Sequence, residues 1–280
     1  MKTFRALTLA GMAFMALPSL LQAQSGASLM RNALEAQADR LSGIENVTIT
    51  QEVMGMETSV RMEKSVVDGT PVLLPVSVTV MGMTQPIPAD DAQADWANPF
   101  QEAWVERAEV VGQENMGGHT VHHLAINDFS DLDLPAMPGS EEAQGEMVPT
   151  SIEFWIDADD FVTRKVAVNM TATRPDGTTS DINMEMWMED YRTVDGYLHP
   201  WVTRTVTQGL AESMDVDQAE ARAQLEELKA QMDNMPEAQK NMLGAVLESQ
   251  IQQLEAMLGG GGMEFTITVT SVVVNSGSPL

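Results

Sequence analysis

The stretch Asp190-Tyr191-Arg192-Thr193-Val194-Asp195-Gly196-Tyr197-Leu198-His199-Pro200-Trp201 places an Asp-Gly pair between two long runs that alternate apolar and polar residues. Asp-Gly readily takes the positive φ angles that a two-residue hairpin turn requires, so the stretch predicts two antiparallel strands joined at Asp195-Gly196. Upstream, Ile182, Met184, Met186 and Met188 recur at every second position against Asn183, Glu185, Trp187 and Glu189. Downstream, Trp201, Thr203 and Thr205 alternate with Val202, Arg204 and Val206. Alternation of this kind predicts an antiparallel sheet with one buried face.

The same period recurs on either side of the hairpin. Towards the amino terminus, Ile152, Phe154 and Ile156 share one face, and Val162, Val166, Val168, Met170 and Ala172 share one face of the next strand. Earlier still, Val47, Ile49 and Val53, then Val60 and Met62, then Val76, Val78 and Val80 mark three strands, and further strands are expected near Ala108–Gly112 and His119–Ile126. After the hairpin, Phe265, Ile267 and Val269 give way to Val272 and Val274, a switch of parity near Ser271 that predicts a β-bulge or bend. About ten strands result.

Helices are expected at Ala27 to Leu41, where Met30, Leu34, Ala38 and Leu41 form one apolar stripe, and at Pro99 to about Arg107, carrying Trp104. Pro86–Asn98 and residues 127–149 read as exposed loops. Residues 215–258 read as an inserted helical hairpin. Leu225, Leu228 and Met232 form one stripe, Met242, Leu243, Val246, Leu247, Ile251, Leu254 and Leu258 a longer one, and Asn234-Met235-Pro236 breaks between them. Gly259 to Gly262 follow as a flexible joint, so the hairpin is expected to act as a mobile cover. So many strands, apolar on one face only, must curl or be covered. The expected architecture is α+β: a curved antiparallel half-barrel covered by helices, forming a single domain over residues 24–280.

Residues 1–23 carry Lys2 and Arg5, an apolar run to about Leu21, and the small-residue ending Leu21-Gln22-Ala23. They read as a secretory signal peptide, cleaved before Gln24. The run is shorter than the roughly 20 residues that span a bilayer, and the chain has no Cys on which a lipid anchor could be built. A soluble, exported, periplasmic protein without a stable membrane anchor is therefore expected. Removal of the leader takes the formal charge from −26 to −28. Such a surface repels phosphate backbones and anionic headgroups, which excludes nucleic acid as a partner.

Four segments resemble the outer-membrane lipoprotein carrier (LolA/LolB-like) superfamily. The first is the D-Y-R-x-V-D-G-x-x-x-P hairpin at residues 190–200. The others are Trp155-Ile156-Asp157-Ala158-Asp159-Asp160-Phe161-Val162-Thr163-Arg164-Lys165-Val166, Val110-Val111-Gly112 with Gly117-Gly118-His119 and Leu124, and Val272-Val273-Val274-Asn275. The resemblance covers roughly residues 105–206 and implies a half-barrel wrapped around helices. It also implies delivery of lipoproteins or related lipids to an outer membrane, and envelope membrane proteins as partners. The lack of Cys places the chain with soluble carriers rather than anchored acceptors. The inserted hairpin departs from the family pattern. Arg61 and Arg204 sit in no matching motif, so the family's gating arginine is assigned to neither.

Methionine is in excess, at 22 residues, and recurs in M-x-M pairs: Met54 and Met56, Met81 and Met83, and Met184, Met186 and Met188. Three roles suit this pattern: adaptable core filler, the lining of a pocket for acyl chains of varied shape, or soft thioether ligands for Cu(I). His119 and His123 share a strand face but lie about 13 Å apart, too far to share one ion. Asp157, Asp159 and Asp160 lack the glycine and distal glutamate of a calcium loop and read as a solvated turn. The chain has no G-x-S-x-G, H-E-x-x-H, P-loop or dinucleotide fingerprint, and no cofactor is called for.

The expected function is a non-enzymatic carrier for lipid or lipoprotein acyl chains. Its pocket is lined by Val166, Val168, Met170, Met184, Met186 and Met188. The alternatives are an envelope structural or protein-interaction module, with the helical hairpin as its contact surface, and a Met/His metal-binding protein.

Overall fold

In the computed structural model, the chain is described for residues 24–67, 69–88, 102–130, 146–174, 176–209, 218–236 and 262–276, with parts of 244–259. The expected leader, and most of the expected loops around 90–100 and 131–145, lie outside the described residues. Eleven strands form one antiparallel sheet: β1 (Asn46–Val53), β2 (Met56–Val67), β3 (Thr70–Val80), β4 (Met83–Pro86), β5 (Glu109–Met116), β6 (His119–Ile126), β7 (Glu146–Asp157), β8 (Thr163–Thr173), β9 (Thr179–Val194), β10 (Tyr197–Gln208) and β11 (Met263–Val274). Their order is β4-β3-β2-β1-β11-β10-β9-β8-β7-β6-β5, a meander into which the last strand is inserted between the first and the tenth. Three helices are α1 (Gly26–Arg40), α2 (Glu102–Val105) and α3 (Gln218–Asp233). The α+β half-barrel read from the sequence is therefore the fold, with one strand more than expected.

The additional pairing comes from Met83–Pro86, of which only Pro86 was read as loop, and from Glu146–Pro149, all read as loop. Met83–Pro86 pairs with Ser77–Val80 as β4, and Glu146–Pro149 extends β7 backwards along β8. The parity switch near Ser271 is a bulge: Thr50 pairs with Ser271 and Gln51 with Val269, which leaves Thr270 as the extra residue. The Asp195-Gly196 turn has φ of 47° and 86°, and Val194 pairs with Tyr197 as the hairpin reading requires.

Helix α1 shapes the sheet. Its amino terminus is capped by Ser25, whose hydroxyl accepts the Ser28 N–H at 3.2 Å. Its length is about 22 Å at 1.5 Å per residue. It touches both β3 and β5, which stand nine strand spacings apart, or about 43 Å in a flat sheet. One helix can meet both only if the sheet curls around it, so the face carrying α1 is the concave face. The buried residues of α1 are Gly26, Leu29, Met30 and Ala33, a stripe rotated towards the amino terminus from the expected Met30, Leu34, Ala38 and Leu41. The rotation follows from lodging the helix between two walls rather than on one surface.

Two concave clusters anchor the helix. Leu29, Met30 and Ala33 pack with Trp104, Val105, Ala108, Leu124, Ile126, Ile152, Phe154 and Ile156. Past the helix end, Leu41 and Ile44 pack with Val47, Ile49, Val269 and Val272. Arg40 closes the far end by donating to the Asp160 carbonyl in the β7–β8 turn. Among the described residues no helix is long and apolar enough to cross a membrane.

The inserted hairpin has α3 as its first arm, with Ala221 and Leu225 buried on the expected stripe. In the second arm Ile251 is buried, and Glu255 pairs with Lys229 of α3 at 2.9 Å. The apolar stripes of the two arms thus lie towards each other.

The close approach of α1 to the chain just before β5 makes a prediction. A Cβ on Gly26 would stand 2.1 Å from the Ala108 carbonyl oxygen, whereas one on Gly112 in β5 meets nothing within 4 Å. Gly26→Val should destabilise the protein by about 2–4 kcal/mol in urea unfolding, and Gly112→Ala by less than about 1 kcal/mol. Equal effects would show that the approach of α1 to the β5 end does not limit the curl.

Candidate functional site

The concave floor is built by register. Val166 of β8 faces Met186 of β9, Val168 faces Met184, and Met170 faces Ile182. One strand further, Met184, Met186 and Met188 face Thr207, Thr205 and Thr203, and those threonines face Met263, Phe265 and Ile267 of β11. The structure therefore brings all six residues read as pocket lining onto one face. They differ in depth. Met170 is buried with Ile182 and Ala172, Val166 and Val168 pack at the margins of buried clusters, and Met184, Met186 and Met188 are half-buried.

The threonine row of β10 and the Phe265–Ile267 row of β11 were not singled out from sequence. On β10 the valines are more apolar than the threonines, so hydropathy alone would turn Val202 and Val206 inwards. The ladder does the reverse: Thr205, 4% exposed, faces Met186, while Val206 faces Glu185. The signal that finds this is pairing with the neighbouring strand, whose Met/Glu alternation is unambiguous.

The motifs that carry the family resemblance form a polar knot at one end of the floor. Asp157, 1% exposed, accepts from Arg164 Nη2 at 2.8 Å and Nε at 3.0 Å and from the Asp159 N–H at 3.0 Å, and it lies 3.0 Å from His119 Nδ1. The Arg164 guanidinium stacks on the Tyr191 ring at 5.1 Å, and the Tyr191 hydroxyl donates to the Thr163 carbonyl at 2.5 Å. This corrects the expectation of a solvated Asp157-Asp159-Asp160 turn, because Asp157 is the buried post around which the turn is hydrogen-bonded. Burial pushes its carboxyl upwards, but the N–H donors and Arg164 outweigh that and hold it below the ordinary carboxylate value. Burial raises the Tyr191 phenol.

The convex face carries a ladder of stacked rings and cations in strict register: His123, Trp155, Lys165, Trp187 and Arg204 on β6 to β10. His123 stacks on Trp155 at 4.2 Å, Lys165 Nζ lies 4.6 Å and 4.3 Å from the Trp155 and Trp187 rings, and Arg204 lies 5.1 Å from Trp187. Carboxylates flank it: Glu114 and Glu153 at His123, Glu185 at Lys165, Glu264 at Arg204. Arg61, with Glu63 and Ser276, also belongs to the convex register. Arg61 and Arg204 are therefore structural and do not reach the floor.

His119 and His123 are engaged by separate carboxylates, and among the described residues no three of His, Cys, Asp and Glu are grouped to hold a metal ion. The second arm of the helical hairpin borders a cavity of about 550 Å³ whose lining includes Glu52, Gln252, Ala256, Thr266 and Thr268. Glu52, Thr266 and Thr268 belong to the convex register, so the arm stands beside the ends of β1 and β11. Met263 and Phe265 of the floor line the same cavity.

No family model matches the chain, and neither does any curated protein. Solved structures similar to it include a DUF1329 family protein of Desulfovibrio piger, with 10% identity over 91% of this chain and 93% of that one and a TM-score of 0.38. A LolA superfamily protein of Nitrosomonas europaea gives 11% identity over 88% and 94%, with a TM-score of 0.31. The lipoprotein LppX of Mycobacterium tuberculosis gives 13% over 51% and 88%, with a TM-score of 0.27.

At the same end of the sheet, His199 stacks on Tyr197 at 5.5 Å, with 3.3 Å between the hydroxyl and Nδ1. Burial pushes His199 down to about 4 and Tyr197 up to about 12. An unfolded histidine titrates near 6.5, so below that pH the unfolded chain takes up the proton first and folding weakens as pH falls towards 4. Asp157 acts lower: its depressed folded value gives stability that is present above about 3.9 and lost in stronger acid. Urea unfolding at pH 7 and pH 5 should show a loss in the wild type that His199→Gln at least halves and Asp157→Asn leaves in place. An unchanged loss in His199→Gln would remove His199 as its source.

Proposed function

We propose that this chain is an exported, non-enzymatic carrier whose concave floor takes the acyl chains of a lipid or lipoprotein. The observation that carries the reading is the row of half-buried methionines, Met184, Met186 and Met188, set among Val166, Val168 and Phe265 on the concave face. A floor of unbranched thioether side chains adapts to ligands of varied outline. Threonine methyls add apolar surface at Thr203, Thr205 and Thr207 without filling the hollow. Binding then needs only burial, worth about 0.8 kcal/mol per methylene, and release needs only a competing apolar surface.

Three further features support this reading. The sequence segments similar to lipoprotein carriers build the ends and walls of this floor. The leader-like residues 1–23 fit export. His119, His123, Asp157, Arg164 and Arg204 are engaged in the convex ladder and the Asp157 knot.

A fluorescent fatty acid such as cis-parinaric acid should bind the purified mature protein saturably. Met186→Glu and Val168→Glu should weaken it at least tenfold, because each places a charge against the acyl chain. Glu189→Gln, on the convex register, should leave it within twofold. Absence of saturable binding by the wild type, or indifference to both floor substitutions, would defeat the carrier reading. Protein recovered from its native envelope should have an intact mass that starts near Gln24, with no added acyl group. A retained leader or a covalent lipid would overturn the free-carrier assignment.

A further inference from the structure

Two hairpin turns in this chain share the same four residues. Val53-Met54-Gly55-Met56 joins β1 to β2, and Val80-Met81-Gly82-Met83 joins β3 to β4. In each, Val pairs with the second Met and the Met-Gly between them makes the turn. Met54 and Gly55 have φ of 53° and 74°, and Met81 and Gly82 have 52° and 76°. Turns left-handed at both residues favour Asn-Gly or Asp-Gly, as at Asp195-Gly196, and a long apolar side chain in that conformation costs on the order of 1 kcal/mol.

Neither turn formation nor burial explains Met81 and Met83. The chain uses the less costly Asp elsewhere, and Met81 and Met83 are each 64% exposed, whereas Met54 and Met56 are half-buried. A left-handed backbone that presents the exposed Met81 points to the chemistry of that side chain. The two turns also lie together. Thr58 pairs with Val80, and continuing that register sets Met56 level with Gly82, one strand spacing of about 4.8 Å away. Met56 and Met83 both belong to the concave register, through Val53 and Val80. The turn residues Met54 and Met81 and the strand residues Met56 and Met83 thus lie at one corner of the sheet.

The corner's composition is selective. Residues 69–89 contain no Asp, Glu, Lys, Arg or His, in a chain with 41 acidic residues, so β3 and β4 offer no hard anionic ligand and no competing cation. Glu52 and Glu57, paired directly across β1 and β2 on the convex side, add negative potential without joining the sulfurs. Neutral, polarisable thioethers favour soft, low-charge ions over Zn²⁺, Ca²⁺ or Mg²⁺.

We propose that the paired Met-Gly-Met turns form a thioether site for Cu(I), drawing on Met56, Met81 and Met83 with Met54 beside them. The site is separate from the acyl-binding floor, where Met184, Met186 and Met188 serve as apolar surface. The test is an anaerobic competition between the mature protein and bicinchoninate for Cu(I), repeated with Zn²⁺ against a zinc chelator. The expected result is one Cu(I) per chain and no competition for Zn²⁺. The triple variant M56L/M81L/M83L keeps the apolar surface but removes the sulfurs, and should bind Cu(I) at least 100-fold more weakly. The triple variant M184L/M186L/M188L should bind within twofold of the wild type. Metal-free thermal unfolding of both variants verifies that they are folded. Failure of the wild type to compete, equal binding of Zn²⁺, retention of Cu(I) by the turn variant, or its loss from the floor variant would each overturn the proposal.

Discussion

The contact of one short helix with both ends of the sheet is the constraint on which the rest of this structure depends. An eleven-stranded antiparallel sheet has no intrinsic reason to stop curling at any one radius. Helix α1 sets the radius, because it meets β3 on one side and β5 on the other and is held at its two ends. At the amino-terminal end the approach is so close that Gly26 has no room for a Cβ against Ala108. At the other end Arg40 reaches the β7–β8 turn, whose shape depends in turn on Asp157 and Arg164. Curvature, hollow and polar knot are therefore one mechanical unit.

A single-layer sheet must still protect two faces, and this one does so by different means. The convex face has a coat made from its own long side chains. Each cation of the ladder lies on the ring of the next strand, and the rings of Trp155 and Trp187 cover the backbone beneath. Cation–π pairs of this kind contribute about 0.5–1 kcal/mol each at partly exposed sites, and their value here is also steric, since they leave Lys165 and Trp155 less than a tenth exposed. Among the described residues, α1 and the residues that follow it pack on the concave face with β6, β7, β1 and β11, and α1 reaches β3 and β5 at the sides. Between those clusters the floor keeps its apolar residues half-exposed, which a protein selected for stability alone would fill.

Much of this was legible in the sequence, and the limits have physical causes. Strand alternation, the Asp195-Gly196 hairpin, the bulge beside Ser271 and the Trp104 helix are local features, written in periods of two or three to four residues. Which face of a strand turns inwards is local only when that strand alternates strongly. β9 does, and Met184 to Met188 were placed correctly; β10, with Thr against Val, takes its orientation from β9. The convex ladder was not legible at all, because His123, Trp155, Lys165, Trp187 and Arg204 come from five strands and meet only through register. Asp157 looked like one carboxylate among many in an acidic turn, and only its burial beside Arg164 and His119 sets it apart.

The division between the two faces also separates stability from function. The α1 clusters, the convex ladder and the Asp157 knot hold the sheet without any contribution from the middle of the floor. Substitutions at Met184, Met186 or Thr205 therefore act on a surface that the fold does not need to close, whereas changes at Leu29, Phe154 or Asp157 act on the frame. A carrier requires this arrangement: a floor that completed the core would have no free energy left to gain from a ligand. The apolar area still half-exposed on the concave face is worth about 25 cal/mol per Å² once covered. On the proposed carrier reading, that area is what an acyl chain covers, because the helix that sets the curve packs against the two ends of the sheet.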